Sequence, residues 1–216
     1  MSQSTASLAP VDGVRFSVVI PSYNEEENVI PLAEEVIATL RDLPGGYELI
    51  LVDDASTDKT ASVIRQLEAQ YPTVRGVFHR VNAGQSAAVA SGFQAARGEW
   101  VGTLDGDGQN DPADLPGMLA LAEKQGVDCV TGVRVARRSA LREVPVFNGL
   151  HRFLPTLLRG QGFTVIETPV NHRERMRGVS KYGVHNRLWR GIRDCFGVRW
   201  YLARAVRADR LELPAR

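Results

Sequence analysis

The chain of 216 residues has few of the features of secreted, disulfide-rich or membrane-spanning proteins. Its 2 cysteines, Cys129 and Cys195, lie far apart in apolar surroundings, so we expect no disulfide framework and a reducing cytoplasm as the default compartment. No apolar run approaches the roughly 20 residues that a membrane-spanning helix needs. The opening MSQSTASLAPVDG has neither a basic nor an apolar stretch, which predicts a flexible tail over residues 1–15 rather than a signal peptide.

The net charge is also small, +1 at neutral pH, but its distribution is uneven. Residues 134–216 contain 18 Lys and Arg against 6 Asp and Glu, whereas residues 1–133 contain 8 against 19. An acidic half suits a bound cation, and a basic half suits phosphates or an anionic membrane surface. Two solvated faces that partly neutralise each other explain the charge equally well.

Strand and helix patterns alternate through the chain. Apolar runs predict strands at 16–21, 47–54, 74–79, 99–105, 127–133 and 163–170. Helical patterns fall at about 25–40, up to about residue 70, at 84–97, after residue 112, at 149–159 and at 184–206. This alternation predicts an α/β fold in which a mostly parallel central sheet has helices on both faces.

Three of the predicted strands end in polar or acidic residues. The segments are PSYNE at 21–25, the pair Asp53 and Asp54, and DGD at 105–107. In parallel sheets ligands bind outside the carboxyl ends of the strands. We therefore expect a site at this edge, provided that the order of the strands brings the three segments together.

The segment LDGDGQNDP gives the sharpest indication of chemistry. Asp105 and Asp107 follow a buried strand on a glycine-rich turn, and two hard carboxylate ligands there can hold Mg²⁺ or Mn²⁺. Gln109 can add an oxygen ligand. A calcium loop of the EF-hand type is excluded, because Asn110 replaces its glycine and Pro116 its glutamate. A simple Asp-Gly turn is the alternative that stays open.

The adjacent acids Asp53 and Asp54 admit two interpretations. They can form a strand end before a helix that Ser56 or Thr57 caps. A carboxylate after the second strand of such a fold can also accept hydrogen bonds from a nucleoside. The small residues of NAGQSAAVASGFQAARG are best explained by tight packing of a helix on the sheet, with Gly84 and Ser86 placed to approach a ligand.

Five motifs, in this order and spacing, resemble the family-two inverting glycosyltransferases: VVIPSYNEEENV, LVDDASTDKT, NAGQSAAVASGF, LDGDGQNDP and TGVR. The chain is most similar to the polyprenyl-phosphate branch, which includes dolichol-phosphate mannosyltransferase and bacterial undecaprenyl-phosphate relatives. NGLHRFLPTLL and VNHRERMRGVSKYG extend the resemblance to about residue 183. It implies a GT-A (Rossmann-like) glycosyltransferase domain over residues 16–183.

The resemblance also implies roles for individual residues. The positions that match nucleotide contacts are Pro21, Tyr23, Glu25, Val52 and Asp54. The positions that match the metal and diphosphate site are Asp105, Asp107 and Gln109. Arg134 matches a basic residue near the acceptor phosphate, and we count it with the two aspartates as catalytic. A mobile R-x-x-G-x-S-K loop that closes over phosphates corresponds to Arg175, Ser180 and Lys181.

The implied reaction is the inverting transfer of a sugar from a UDP- or GDP-linked donor to a polyprenyl phosphate at the cytoplasmic face of a membrane. An anionic phosphate acceptor needs no strong general base, so positioning and stabilisation of the leaving diphosphate can suffice. A sugar hydroxyl would need a carboxylate base. Two alternatives stay open: a soluble saccharide acceptor, or a catalytically impaired protein that binds nucleotide sugars. We expect no nucleic acid partner and leave a homo-oligomer open.

The C-terminal region, 184–216, reads as an amphipathic basic helix followed by a tail. Its arginines and tryptophans favour peripheral contact with an anionic membrane, although a helix packed on its own domain or on another subunit fits equally well.

The chain departs from the family between TGVRVARR and ALREVPVF. The resemblance leads us to expect amphipathic acceptor-side helices there, yet the two flanks join almost directly at residues 136–140. A natural deletion, an engineered deletion and a mobile loop missing from the sequence are the three explanations, and flexible acceptor loops favour the last.

Overall fold

The computed structural model describes residues 13–173 and 184–204. Within them the strands are β1 (Phe16–Ser22), β2 (Tyr47–Asp53), β3 (Val74–Phe78), β4 (Trp100–Thr103), β5 (Cys129–Thr131), β6 (Arg134–Arg137) and β7 (Val165–Glu167). The helices are α1 (Val29–Leu40), α2 (Thr60–Gln70), α3 (Gln85–Ala95), α4 (Asp114–Gln125), α5 (Arg138–Arg142), α6 (Leu150–Gln161) and α7 (Val184–Arg204).

One seven-stranded sheet runs through the molecule in the order β3-β2-β1-β4-β6-β5-β7. Its pairs are parallel except for β6, which is antiparallel to both of its neighbours, β4 and β5. This arrangement confirms the prediction of an α/β fold with a mostly parallel sheet. The order also places β2, β1 and β4 side by side, so their carboxyl ends share one edge.

Successive residues of β1 point to opposite faces of the sheet and enter two separate cores. Val18 and Ile20 pack in the core that includes residues of α1, α2 and α4, whereas Val19 packs in the core of α3, α5 and α6. A strand buried on both faces has this continuous apolar sequence because alternate side chains each face a helical layer. The predicted helices on both faces are thereby confirmed.

Helix α3 packs unusually close to the sheet. A Cβ atom added at Gly92 would lie 2.2 Å from Cγ1 of Val19, and Ala88 is 0% exposed. Only small side chains allow this approach, because interiors are packed as densely as organic crystals. The small residues of α3 are therefore explained by packing.

The second half contains elements that the sequence patterns did not predict. β5 ends at Thr131, and a turn at Gly132, with φ of +142°, returns the chain along β5 as β6. The apolar run 127–133 predicts a single strand, but its last residues belong to this hairpin. Glycine adopts positive φ readily, whereas an L side chain there is strained.

The flanks of the segment expected between residues 136 and 140 are joined directly. β6 ends at Arg137 and α5 begins at Arg138, whose backbone N–H donates to the carbonyl of Glu99 at 2.8 Å. The acceptor-side helices suggested by the resemblance therefore do not occur between these two elements.

The last residue of the predicted tail is bonded to the body of the domain. Arg15, the last residue of the predicted tail, donates from its backbone N–H to Gly45 O at 2.9 Å and pairs with Glu123. Residues 1–12 and 205–216 lie outside the described residues. Of the helices in 13–173 and 184–204, none combines the length and the apolar character needed to cross a membrane.

Candidate active site

The carboxyl ends of β1, β2 and β4 are in direct contact. The backbone N–H of Asp54 donates to Ser22 O at 3.0 Å, and that of Leu104 donates to Val19 O at 3.2 Å. A Cβ atom added at Gly106 would lie 2.7 Å from the carbonyl oxygen of Pro21. The three polar segments noted in the sequence thus form one continuous surface of loops.

The loops after β1 and β2 are joined by side chain to backbone hydrogen bonds. Asn24 N–H donates to Ser56 Oγ at 2.9 Å, Thr57 N–H donates to Asn24 Oδ1 at 2.8 Å, and Glu25 N–H donates to Thr60 Oγ1 at 2.9 Å. The prediction that Ser56 or Thr57 caps the following helix is therefore wrong. Helix α2 begins at Thr60 without a side-chain cap, and the hydroxyls of Ser56 and Thr57 contact Asn24 of the β1 loop instead.

Two residues of these loops adopt left-handed backbone conformations. Asn24 has φ of +53° and Ala55 has φ of +58°, each just after its strand. Asparagine tolerates this region, but for alanine it costs about 1–2 kcal/mol. Strained residues of this kind cluster at functional sites, where the surrounding structure holds them in place.

Asp54 is enclosed by the loop that leads from β3 to α3. The residue is 2% exposed, and its carboxylate accepts the backbone N–H groups of Ala83 at 2.9 Å and Gly84 at 2.7 Å. Oδ1 of the same carboxylate lies 2.7 Å from Nδ1 of His79, and Nε2 of His79 lies 2.8 Å from Ser91 Oγ. Asp54 therefore links β2, β3 and the start of α3.

The residues predicted to contact a nucleotide differ in exposure. Tyr23 is 36% exposed and Glu25 is half-buried, whereas Val52 and Asp54 are 0% and 2% exposed, and Pro21 is buried. Val52 and Asp54 therefore expose almost none of their surface, backbone included. The nucleotide contacts of all these residues stay predictions.

The turn with the two aspartates is held by its own side chains. The backbone N–H of Asp105 donates to Asn110 Oδ1 at 2.9 Å, and Gln109 N–H donates to Asp107 Oδ1 at 3.2 Å. Gln85, at the start of α3, donates from its side-chain amide to Asp105 Oδ1 at 2.8 Å. The sequence patterns did not single out Gln85 or Asn110.

Burial and charges of both signs act on the carboxyl of Asp105. Burial raises the pKa of its carboxyl above the ordinary range, and the negative charge of Asp107 raises it further, whereas Arg134 and the hydrogen bond from Gln85 lower it. Arg134 opens β6 opposite Thr103 of β4, two residues before Asp105. The guanidinium predicted to lie near an acceptor phosphate is thus beside the metal candidate.

The residues present fit a hard divalent ion that arrives with its substrate. Among the described residues no group of three or more His, Cys, Asp or Glu is arranged to hold a metal by itself. Mg²⁺ is commonly held by one or two carboxylates together with substrate phosphates and water. Asp105 and Asp107, whose ionised forms repel each other, match that pattern.

Two buried hydroxyls at this edge have no hydrogen-bond partner within residues 13–173 and 184–204: Ser22 Oγ at the end of β1 and Thr103 Oγ1 at the end of β4. Such orphaned groups are uncommon in native proteins, and each costs about 1–3 kcal/mol when it is left without a partner. Both therefore need a partner from water or a ligand.

A short segment before the predicted phosphate-closing loop holds the aspartate turn from outside. Arg173 N–H donates to Gln109 O at 2.9 Å. Its guanidinium contacts Glu35 of α1 at 2.8 Å and Asp111 at 2.7 Å. The loop itself, with Arg175, Ser180 and Lys181, lies outside the described residues, so its closure over phosphates stays a prediction.

On the side of α6, Ser86 is buried and contacts the start of that helix, and its approach to a ligand stays a prediction. It is 4% exposed, and its Oγ accepts the backbone N–H of Gly149 at 2.9 Å while contacting His151 Nδ1 at 2.9 Å. Burial, followed by the charges of Arg152 and Arg134, lowers the pKa of His151 to about 4. The ring is therefore neutral at pH 7.

Residues 17–180 match the profile of Glycosyl transferase family 2, which is three quarters of the chain. The chain belongs to this family, and the resemblance drawn from the five motifs is confirmed. The α/β architecture described above is that of a glycosyltransferase.

Curated relatives indicate the branch of the family to which the chain belongs. The chain is 32% identical to a dodecaprenyl-phosphate galacturonate synthase of Rhizobium johnstonii, with 89% of this chain and 69% of that protein covered. It is 34% identical to an undecaprenyl-phosphate 4-deoxy-4-formamido-L-arabinose transferase of Shewanella sediminis, with 79% and 62% covered. The predicted polyprenyl-phosphate branch is confirmed, and the chain spans about two thirds of the length of these relatives.

Relatives also contain residues that this chain lacks. The alignment with the Rhizobium protein runs over 233 positions, more than the 216 residues of this chain, although only 89% of the chain takes part. Some residues inside the matched region of that relative therefore have no counterpart here.

Solved structures share the fold at low sequence identity. A mannosyltransferase from Pyrobaculum calidifontis in complex with GDP-Man and Mn²⁺ has a TM-score of 0.64 and 22% identity, with 91% of this chain and 72% of that chain covered. A Mycobacterium tuberculosis glucosyl-3-phosphoglycerate synthase in complex with Mn²⁺ and UDP has a TM-score of 0.62 and 18% identity, with 91% and 82% covered. The GT-A fold prediction is confirmed.

Proposed function

We propose that this chain is a metal-dependent, inverting glycosyltransferase domain that moves a sugar from a UDP- or GDP-linked donor to a polyprenyl phosphate. The observation that carries the proposal is the meeting of the β1, β2 and β4 ends at one edge, with Asp105 and Asp107 on the turn after β4. The sugar-transferase names of the curated relatives support it.

Asp105 and Asp107, with Gln109, would hold Mg²⁺ or Mn²⁺ against the donor diphosphate. When bound, the ion neutralises the charge that develops on the leaving nucleoside diphosphate. The two carboxylates are carried on a turn that is held by a hydrogen bond from the Gln85 amide to Asp105 and by one from the Asp105 backbone N–H to Asn110, so the site needs little rearrangement when the donor arrives. Two solved structures with the same fold contain Mn²⁺, which supports binding of a divalent ion at this site.

The acceptor phosphate would be bound by arginines. Arg134 lies beside Asp105 at the start of β6, and the predicted loop would add Arg175, Ser180 and Lys181. A guanidinium forms strong charge-assisted bonds to phosphate oxygens. Because the acceptor is already anionic, these contacts would orient its oxygen for direct attack and inversion without a general base.

A lipid acceptor would require the protein to work at a membrane surface, and α7 supports contact with one. Phe196 and Trp200, four residues apart on this helix, are 69% and 61% exposed, and Arg193 and Arg199 are exposed as well. Aromatic and basic side chains together suit the interface of an anionic bilayer. We propose peripheral binding at the cytoplasmic face.

The decisive experiment is a transfer assay with undecaprenyl phosphate, a panel of UDP- and GDP-sugars, and Mg²⁺ or Mn²⁺. We expect metal-dependent transfer that Asp105→Ala and Asp107→Ala each reduce at least about a hundredfold, as for loss of a group that stabilises the leaving charge. Asp42→Ala, which removes an exposed carboxylate between α1 and β2, is the matched control and should leave the rate unchanged.

The outcomes separate the alternatives. Transfer to soluble saccharides but not to undecaprenyl phosphate would favour a soluble acceptor. Metal-dependent donor binding without transfer or hydrolysis would favour a catalytically impaired binding protein. Activity that survives both aspartate substitutions and a chelator would refute the metal assignment. Sedimentation of the same preparation measures whether the chain forms a homo-oligomer.

A further inference from the structure

Gln85 connects the first helix turn of α3 to the candidate metal carboxylate. It is the first residue of α3, and its Nε2 donates to Asp105 Oδ1 at 2.8 Å across 20 residues of sequence. The contact is the one side-chain hydrogen bond to the Asp105 carboxylate that the described residues show. Gln85 is not among the residues to which the family resemblance assigns a role.

The backbone on either side of Gln85 is anchored. Gly84, the preceding residue, donates its backbone N–H to the buried carboxylate of Asp54 at 2.7 Å. Ser86, the following residue, is buried and is bonded to Gly149 and His151 at the start of α6. Gln85 is exposed, but its Cα has little freedom, so its amide can hold Asp105 in a defined orientation.

We propose that Gln85 is a positioning residue that orients the Asp105 carboxylate for the divalent ion. This inference rests on the proposed metal-dependent function. The amide holds Oδ1, which leaves Oδ2 of the same carboxylate for the ion. Residues that hydrogen-bond to a metal ligand commonly fix the orientation of that ligand.

The chemistry of an amide suits this role better than that of a cationic side chain. Lysine or arginine at position 85 would also donate to Asp105, but its positive charge would oppose a nearby cation. An amide donates without that charge, so the carboxylate keeps its full attraction for Mg²⁺ or Mn²⁺. Arg134 already supplies one positive charge near Asp105, and a second would weaken the site further.

The test compares Gln85→Met with the parent. Methionine has nearly the same length and a good helix propensity but cannot donate a hydrogen bond. We expect the Mn²⁺ dissociation constant, measured by electron paramagnetic resonance with the nucleoside diphosphate present, to rise about tenfold. This is the smaller of the effects seen when a residue that hydrogen-bonds to a metal ligand is removed, because Gln85 is exposed to water. Saturating Mn²⁺ should restore kcat, which a folding defect would not allow.

Gln94→Met is the matched control, because Gln94 lies on the same helix and is exposed. The Mn²⁺ affinity of this variant should equal that of the parent. Unchanged or tighter Mn²⁺ binding by Gln85→Met would overturn the inference. If Asp105→Asn loses Mn²⁺ while Gln85→Met keeps it, only this inference fails. A parent that binds no Mn²⁺ at all refutes the proposed function and the inference together.

Discussion

Asp54 Oδ1 and His79 Nδ1 lie 2.7 Å apart and join the end of β2 to the residue after β3 at the edge of the sheet that carries the candidate site. The carboxylate also accepts two backbone N–H groups of the β3–α3 loop. The shape of this edge therefore depends on a buried acid that does not itself face solvent.

Removing the imidazole of His79 should loosen the loop between β3 and α3. We expect His79→Ala to lower the free energy of unfolding by about 2 kcal/mol, because a half-buried hydrogen bond to a carboxylate is lost, and to raise KM for the donor. Urea denaturation and steady-state kinetics measure the two effects. His79→Asn, whose amide can donate from nearly the position of Nδ1, should recover part of the stability; equal losses in both variants would contradict this explanation.

A methyl group at Gly106 should displace the aspartate turn. An added Cβ would lie 2.7 Å from the Pro21 carbonyl, and backbone cannot move away as a flexible side chain can. We expect Gly106→Ala to weaken Mn²⁺ binding and transfer at least about tenfold, comparable with damage to groups that orient metal ligands.

Gly117→Ala is the control for that substitution. Gly117 lies within α4 with no atom within 4 Å of an added Cβ, so alanine should stabilise the protein by about 0.5–1 kcal/mol and leave activity unchanged. Calorimetry and the transfer assay on both variants make the comparison. If Gly106→Ala behaved like Gly117→Ala, the close contact with Pro21 would be unimportant.

The neutral His151 should make folding sensitive to acid. Its pKa falls from 6.5 to about 4 on folding, so the unfolded chain takes up a proton at a higher pH than the folded chain. Stability from this residue is present above pH 6.5 and is lost as the pH falls towards 4. Between pH 7 and pH 5 the loss is at most about 2 kcal/mol.

His151→Gln isolates that contribution. Denaturation at both pH values should show a smaller loss in the variant than in the parent, since glutamine does not titrate. The remaining loss in the variant reports the carboxylates and other histidines. An identical pH dependence in the two proteins would show that the ring of His151 is protonated equally in the folded and unfolded states.

The ionised carboxylate of Asp105 should lower the free energy of unfolding when no metal is bound. Its pKa is raised mainly by burial, so the ionised form present at pH 7 is less favourable in the folded state than in the unfolded state. Asp105→Asn should raise the thermal midpoint at pH 7 while abolishing transfer, and the gain should disappear below the ordinary pKa of aspartate. Added Mn²⁺ and nucleotide should stabilise the parent and not the variant.

The local patterns of the sequence determined the fold class and the three polar strand ends. β1 and β2 were predictable because strands buried on both faces are continuous apolar runs with clear stops. The motifs at those stops, LVDDASTDKT and LDGDGQNDP among them, were enough to identify the family.

Tertiary structure alone decided which side chains meet at the site. The pairs Gln85 with Asp105 and His79 with Asp54 join residues 20 and 25 positions apart, and Ser56 bonds to Asn24 instead of capping α2. The burial of Asp54 and the short antiparallel β6 likewise depend on neighbours from distant parts of the chain. Periodicity reports only which face a residue occupies, whereas these contacts depend on the packing and register of separate strands.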